Sequence, residues 1–482
     1  MSTTLRLSES SARSTRSTLN ALELRLVAFL GVVVLQVVQW WAFRSIIAQR
    51  YGYDGFTGRH VDAVTVLLAI VLSCAPVTVL PIRIVRPSGG ILWVLYVLGL
   101  LPACLYPILV EGLSVRTTFG FELLAVASFV LIVWLVDSLP QHWPVIPTPV
   151  RRRVLIAIAV CVAIAGALLI KSFGIPTSFV AIGDVYVRRL DFRGEAASAN
   201  PLFGYIIPWL QNVVAPIMIV AGLARRKLVW VAIGVGIEVW MYLTIGNRQA
   251  LLGVFLIGAL YLLFSDRCRD MFASLMMIGL AAGIVVTVLY DRRGGSPYAV
   301  GVFLYRMFAL PGIITAEYYD YFSGAPKVIG RDGLFGAVSA SPYDLTIPRE
   351  IGLRYFGSAD TNANANMWAD GFANFGVIGF IVVVVALVPV LWLIDLRVRP
   401  TEAGAVAASS AFLCVNLANG SVLTAMLTGG LLPFAVVMAV TRGSLVARPM
   451  PPNSDGDSVN QAGAIREVKG GEGTDGARRV DT

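Results

Sequence analysis

Apolar residues along this chain fall in long unbroken runs, with polar and basic residues gathered in the breaks between them. Val64 to Leu80, Ile91 to Val110 and Val377 to Ile394 carry no charge. Runs of that length suit a helix crossing hydrocarbon, whereas a barrel strand needs about half as many residues and shows alternation. Every backbone amide in lipid needs a partner within its own segment, so the pattern predicts an all-α integral membrane protein. Spans are predicted near residues 25–48, 62–82, 90–110, 119–138, 153–171, 204–224, 229–244, 248–265, 271–290, 372–394, 403–420 and 423–441, about twelve transmembrane helices.

Composition agrees: 57% of 482 residues are hydrophobic and 14% charged, with mean hydropathy +0.76, which is more apolar surface than a soluble fold can hide. The formal charge of +9 invites nucleic acid as a partner, but topology explains it better and nucleic-acid binding is not expected. With the N- and C-termini cytoplasmic, the inner connections carry Arg83 and Arg86, Arg151 to Arg153, Arg225 to Lys227, Arg267 and Arg269, and Arg397 and Arg399. The tail adds Arg442 and Arg448, so every cytoplasmic turn is basic and the cytoplasmic (inner) membrane is the expected location. Leu26 to Ile47 follows a basic Ser/Thr-rich leader, yet is too long for a signal core and is read as a retained helix.

Residues 1–20 and 446–482 are polar and expected to be disordered, flanking a membrane domain at 21–445. Two long outward loops are expected, at 172–203 and 291–371, the second lying between the ninth and tenth spans. Within it Val300 to Phe322 is apolar enough to cross, but counting it as a span would invert the charge rule for all that follows. It also holds Arg306, Pro311, Glu317 and Asp320, which are costly in lipid, so a re-entrant or interfacial helix is predicted.

The outward side should be poor in arginine, yet Arg188, Arg189, Arg193, Arg248, Arg292, Arg293, Arg306, Arg331, Arg349 and Arg354 are all assigned to it. Guanidinium grips phosphate oxygens in a planar fork, so a diphosphate at the membrane surface is the natural guest. Lipid headgroups or pairing with Asp184, Asp191, Glu195 and Asp291 would also use such cations. Glu317 and Asp320 lie three apart and share a helical face, beside tyrosines suited to stacking on sugar rings. One of them is a candidate general base, a cation ligand or a loop cap. Glu238 within the seventh span is either functional or a packing hydrogen bond. Only His60 and His142 are present, and Cys74, Cys104, Cys161, Cys268 and Cys414 fall in apolar runs or a short basic loop. No metal site, disulfide framework, nucleotide loop or cofactor is expected.

The stretch Asp184 to Arg189, the Gly204-Tyr205 opening of a span that ends in Ala224 to Lys227, and Gly246-Asn247-Arg248 resemble the central region of Wzy-type oligosaccharide repeat-unit polymerases. So do Tyr305 to Pro311, Tyr318 to Phe322, Asn364-Ala365-Asn366, Asp370-Gly371 and Asn374 to Gly379. The resemblance covers roughly residues 180 to 395. It implies a metal-independent glycosyltransferase that moves a glycan from a polyprenyl-diphosphate carrier onto the next lipid-linked repeat unit at the outer face of the membrane. A flippase and a chain-length regulator would be its partners, besides membrane lipids. An Arg-x10-Gly pattern associated with the family is met from Arg193 to Gly204, and the second long loop has no copy. On this resemblance Arg188, Arg189, Arg193, Arg248, Arg292, Arg293, Arg306 and Arg354 hold the diphosphate, Glu317, Asp320 or Asp370 takes the acceptor's proton, and Asn364 and Asn366 orient sugars. An O-antigen-ligase-like transferase and a flippase or transporter of a lipid-linked substrate are the competing expectations.

Overall fold

The computed structural model describes residues 20–54, 56–141, 148–176, 188–189, 192, 201–268, 270–331, 340–396 and 398–441. Its helices are α1 (Ala21–Arg50), α2 (Ala63–Thr78), α3 (Pro87–Leu109), α4 (Val115–Ser138), α5 (Thr148–Phe173) and α6 (Phe203–Arg225). They continue with α7 (Leu228–Ile245), α8 (Arg248–Leu263), α9 (Phe272–Arg292), α10 (Val300–Gly324), α11 (Ile347–Phe356) and α12 (Met367–Phe375). The series ends with α13 (Ile378–Asp395), α14 (Pro400–Ser409), α15 (Ala411–Ala418), α16 (Val422–Leu427) and α17 (Leu431–Thr441). Among the described residues nine helices are long and apolar enough to cross a membrane, or ten if α14 and α15 form one bent span. No strand occurs among them, and the chain is a multi-pass all-α membrane protein.

Local sequence sets the helix ends. Asn20 and Glu23 cap each other's backbone amides at the start of α1, and Asp62 and Ser114 accept from Thr65 and Thr117 to open α2 and α4. Gly246, left-handed at φ 70°, stops α7, and Asn247 caps α8 immediately after it. The apolar window of α3 lies wholly inside the protein, whereas that of α5 is 6% buried and almost entirely peripheral.

Contacts between connections reveal an alternating bundle with two faces. On one, here the loop face, Gly58 bridges Val110, Arg59 N donates to Leu109 O at 2.7 Å and Glu111 N to Thr57 O at 2.8 Å. Arg50 at the end of α1 pairs there with Asp291 at the end of α9. On the opposite face Arg83 pairs with Asp270 at 2.6 Å, Arg86 donates to Leu139 O, and Asp395 accepts from Ser88 N and Oγ.

Helix α10 follows the loop face instead of crossing the bundle. Tyr305 stacks on Tyr51 at 4.0 Å and donates to Asp54, while Asp320 packs against Gly112. Fifteen residues of helix span about 22 Å, so a perpendicular helix would not bring both positions to one layer of loops. Its middle sinks into the bundle, with Gly312 against Pro102 O and Tyr106, where an added methyl would overlap the backbone.

Three predicted spans need correction. The expected span 372–394 is divided: Gly376 (φ 61°) separates α12 from α13. Helix α12 begins deep in the bundle, where Trp368 Nε1 donates to Ser128 Oγ at 2.9 Å, and rises to Phe372 beside Phe121. It is therefore a re-entrant helix. The expected span 403–420 bends by 55° between α14 and α15. The expected span 423–441 breaks at Gly430 (φ 94°) into α16 and α17. Hydropathy averages over such glycines, because lacking a side chain they neither lower nor raise it much, yet they reach backbone angles that end a helix.

Candidate functional site

The site is built on α10 where it faces the first connection and α11. Helical spacing of three sets Glu317 and Asp320 on one face, as expected. Asp320 is half-buried and accepts from Tyr355 Oη of α11 at 2.7 Å. Glu317 is 3% exposed, and neither of its carboxylate oxygens has a hydrogen-bond partner among the described residues. The charges it feels are those of Asp54 and Asp320, both of its own sign. Asp54 is thus a third member of the group. Sequence alone did not point to it, because the Tyr305 hydroxyl that binds it lies 251 residues away.

Tyrosines organise this acidic shelf. Tyr321 Oη donates to Glu350 at 2.9 Å and Tyr318 Oη to Ala363 O at 3.0 Å. Burial, followed by its bond to Asp320 and the nearby charges of Asp320 and Glu317, raises the Tyr355 hydroxyl above its ordinary pKa, with Arg354 opposing. The expectation that the neighbouring tyrosines stack on sugars does not hold for Tyr318 and Tyr319. Both are buried, and Tyr319 lies flat on Phe121 at 4.3 Å, because the inward side of α10 packs on α3, α4 and α12.

Several cations belong to the same face of the bundle. Arg306 and Arg354 are exposed on α10 and α11. Arg292 and Arg293 are exposed at the end of α9, the former over the Trp41 ring at 5.6 Å. Arg59, another residue missed in the sequence, binds Leu113 O, and its Nη1 is buried with no partner among the described residues. Lys327 donates to Phe322 O and sits 4.4 Å over the Phe372 ring, and burial lowers its pKa.

The other candidates are distributed differently. Arg188 is half-buried and Arg189 exposed, each helical, while Arg193 lies outside the described residues. Arg248 begins α8, in the neighbourhood of α6 and α15. Asp370 occupies the first turn of α12, where a carboxylate complements the helix dipole. Asn364 is exposed on the chain that descends to α12.

Asn366 is a correction. Expected to orient sugars, it is 1% exposed and caps α12, accepting from Trp368 N and Ala369 N at 3.0 Å and donating to Thr315 Oγ1 at 2.7 Å. Asn374 is similarly occupied, accepting from Gly330 N and donating to Asp370 O. Such bonds allow non-helical backbone at depth, since each buried polar group of the descent needs a partner.

No protein-family model, curated protein or solved structure matches this chain. Its chemistry therefore rests on its own residues. A carboxylate without a hydrogen-bond partner among the described residues, beside a second, tyrosine-bound one, is able to accept a proton, and exposed guanidinium groups on the same face are able to bind an anion.

Proposed function

We propose that this chain is a glycan polymerase that transfers a chain from a polyprenyl-diphosphate carrier to the next lipid-linked oligosaccharide unit, at the outer face of the cytoplasmic membrane. The observation that carries the proposal is Glu317, buried and without a hydrogen-bond partner among the described residues, beside Asp320 on a helix that follows the loop face. The acceptor hydroxyl attacks the anomeric carbon, a new glycosidic C–O bond forms, and the bond from that carbon to the diphosphate oxygen breaks. The hydroxyl proton passes to Glu317 or Asp320, and the diphosphate leaves with the bonding electron pair. Arg306 and Arg354 offset its developing charge, with Arg292 and Arg293 at the margin. The resemblance of residues 180 to 395 to Wzy-type polymerases points the same way.

A transporter of a lipid-linked anion is the second reading, favoured by two buried carboxylates inside α4 and α7. Glu122 and Glu238 are 2% and 0% exposed, with no hydrogen-bond partner among the described residues. Purified protein incubated with a polyprenyl-diphosphate oligosaccharide separates the readings. A ladder of longer glycans is expected. Transfer to a separate acceptor identifies a ligase, and intact substrate moved between leaflets identifies a transporter.

A further inference from the structure

Away from the acidic shelf, the junction of α6, α7, α8 and α15 gathers side-chain amides at the loop-face end of the bundle. Gln211 Oε1 accepts from Asn247 Nδ2 at 3.3 Å, and Gln249 Nε2 donates to Asn416 Oδ1 at 3.3 Å. Asn212 Nδ2 donates to Gly429 O at 3.0 Å. The backbone explains the gathering. Pro208 and Pro216 each remove a helical amide donor from α6, and between them Leu210–Val214 forms a wide π-helical turn carrying Gln211 and Asn212. The left-handed Gly246 then turns α7 sharply into α8, bringing Asn247 across to Gln211.

Two features separate this cluster from ordinary packing. Gln211 is 5% exposed, and its Nε2 donor has no partner among the described residues. One turn before Asn247, the Thr244 hydroxyl is also buried and unpartnered among those residues. A buried amide donor left without a partner destabilises the fold. Asn247, Gln249 and Asn416 meanwhile remain partly exposed, so the cluster opens outward. The two amide pairs are at the long end of hydrogen-bond range and exchange readily for ligand contacts.

We propose that Gln211, Asn247, Gln249 and Asn416 form a binding site for the sugar hydroxyls of a neutral oligosaccharide. An amide presents a donor and an acceptor together, as a sugar hydroxyl does, and among the described residues no carboxylate enters the hydrogen bonds of Gln211, Asn212, Asn247, Gln249 and Asn416. The choice of a glycan rests on the proposed polymerase reading. The position suits a chain held while its reducing end reacts at α10. Asn416 lies two residues from Ala418, which like the Trp368 ring borders Gly99, and Asn366, which caps Trp368, reaches Thr315 on α10.

Saturation-transfer NMR on the full chain in nanodiscs tests the site, with a lipid-free neutral oligosaccharide of four to eight sugars as the probe. Transfer is expected at millimolar glycan for wild type and for Glu317→Gln. Affinity should fall at least about tenfold in Gln211→Met/Gln249→Met, the loss of one or two hydrogen bonds. Asn416→Leu, at a partly exposed position where misfolding is a smaller risk, should show the same fall with an unchanged melting temperature. No transfer to wild type, or unaltered affinity in all variants, overturns the site. If wild type binds glycan and makes no polymer, the polymerase reading fails and the site stands. If it polymerises and the variants bind normally, the site fails and the polymerase reading stands.

Discussion

Replacing Glu317 distinguishes a chemical role from a structural one through the sign of its effect on stability. Both carboxylate oxygens are buried without a hydrogen-bond partner among the described residues, and the charges acting on them repel. Leaving a buried polar group unsatisfied costs about 1–3 kcal/mol, so Glu317→Met, which keeps the volume and removes both oxygens, should stabilise the protein by about that amount. Asp320→Asn is the comparison. Asp320 accepts from Tyr355, so loss of its charge should weaken that bond and destabilise by about 1 kcal/mol. Activity should move independently of stability: a general base contributes roughly 10²–10⁴-fold, and Glu317→Met and Glu317→Gln should lose about that much polymerisation. Denaturant unfolding in detergent and the glycan ladder measured on the same preparations give both numbers. A Glu317→Met protein that unfolds more easily and still polymerises would refute the reasoning, because it would make Glu317 a packing residue.

Other positions give further checks. Arg50→Met leaves Asp291, whose side chain is 3% exposed, without its cation and should cost about 2–3 kcal/mol, whereas Asp291→Asn leaves a 41% exposed arginine to water and should cost under about 1 kcal/mol. Urea or SDS unfolding of the two variants measures the difference. Gly253→Ala drives a methyl into the Phe412 ring and should cost about 1–3 kcal/mol, while Gly258→Ala on the same helix meets nothing within 4 Å and should be neutral or stabilising in the same assay. Tyr355 titrates above its ordinary pKa of 10.0 in the folded protein, so its contribution is fully present below pH 10 and falls as pH rises toward the folded value. Melting curves across that range should show a smaller alkaline loss for Tyr355→Phe than for wild type.

Much of the architecture was legible because hydropathy reports the feature lipid selects most strongly. Each expected span corresponds to an apolar helix or helix pair, and the charges of Arg306, Glu317 and Asp320 marked α10 as a helix that does not simply cross. What hydropathy missed were breaks made by backbone angle at Gly376 and Gly430. The acidic shelf was half legible: Glu317 and Asp320 share a local helical spacing, whereas Asp54 joins them through its bond to Tyr305, distant along the chain. Residue type also misled where burial decides the role. Asn366 and Tyr319 have side chains suited to sugars, but the re-entrant path of α12 places both in the interior.

The account depends on the loop face, with Glu317, Asp320 and the exposed arginines, being turned toward the cell exterior. His60 is exposed on that face, and the native Cys268 is partly exposed in the connection between α8 and α9 on the other. With a membrane-impermeant maleimide on intact cells, the His60→Cys variant should label at position 60 at once, and Cys268 only after permeabilisation. Labelling of Cys268 from outside, with position 60 protected until the membrane is opened, would contradict the account.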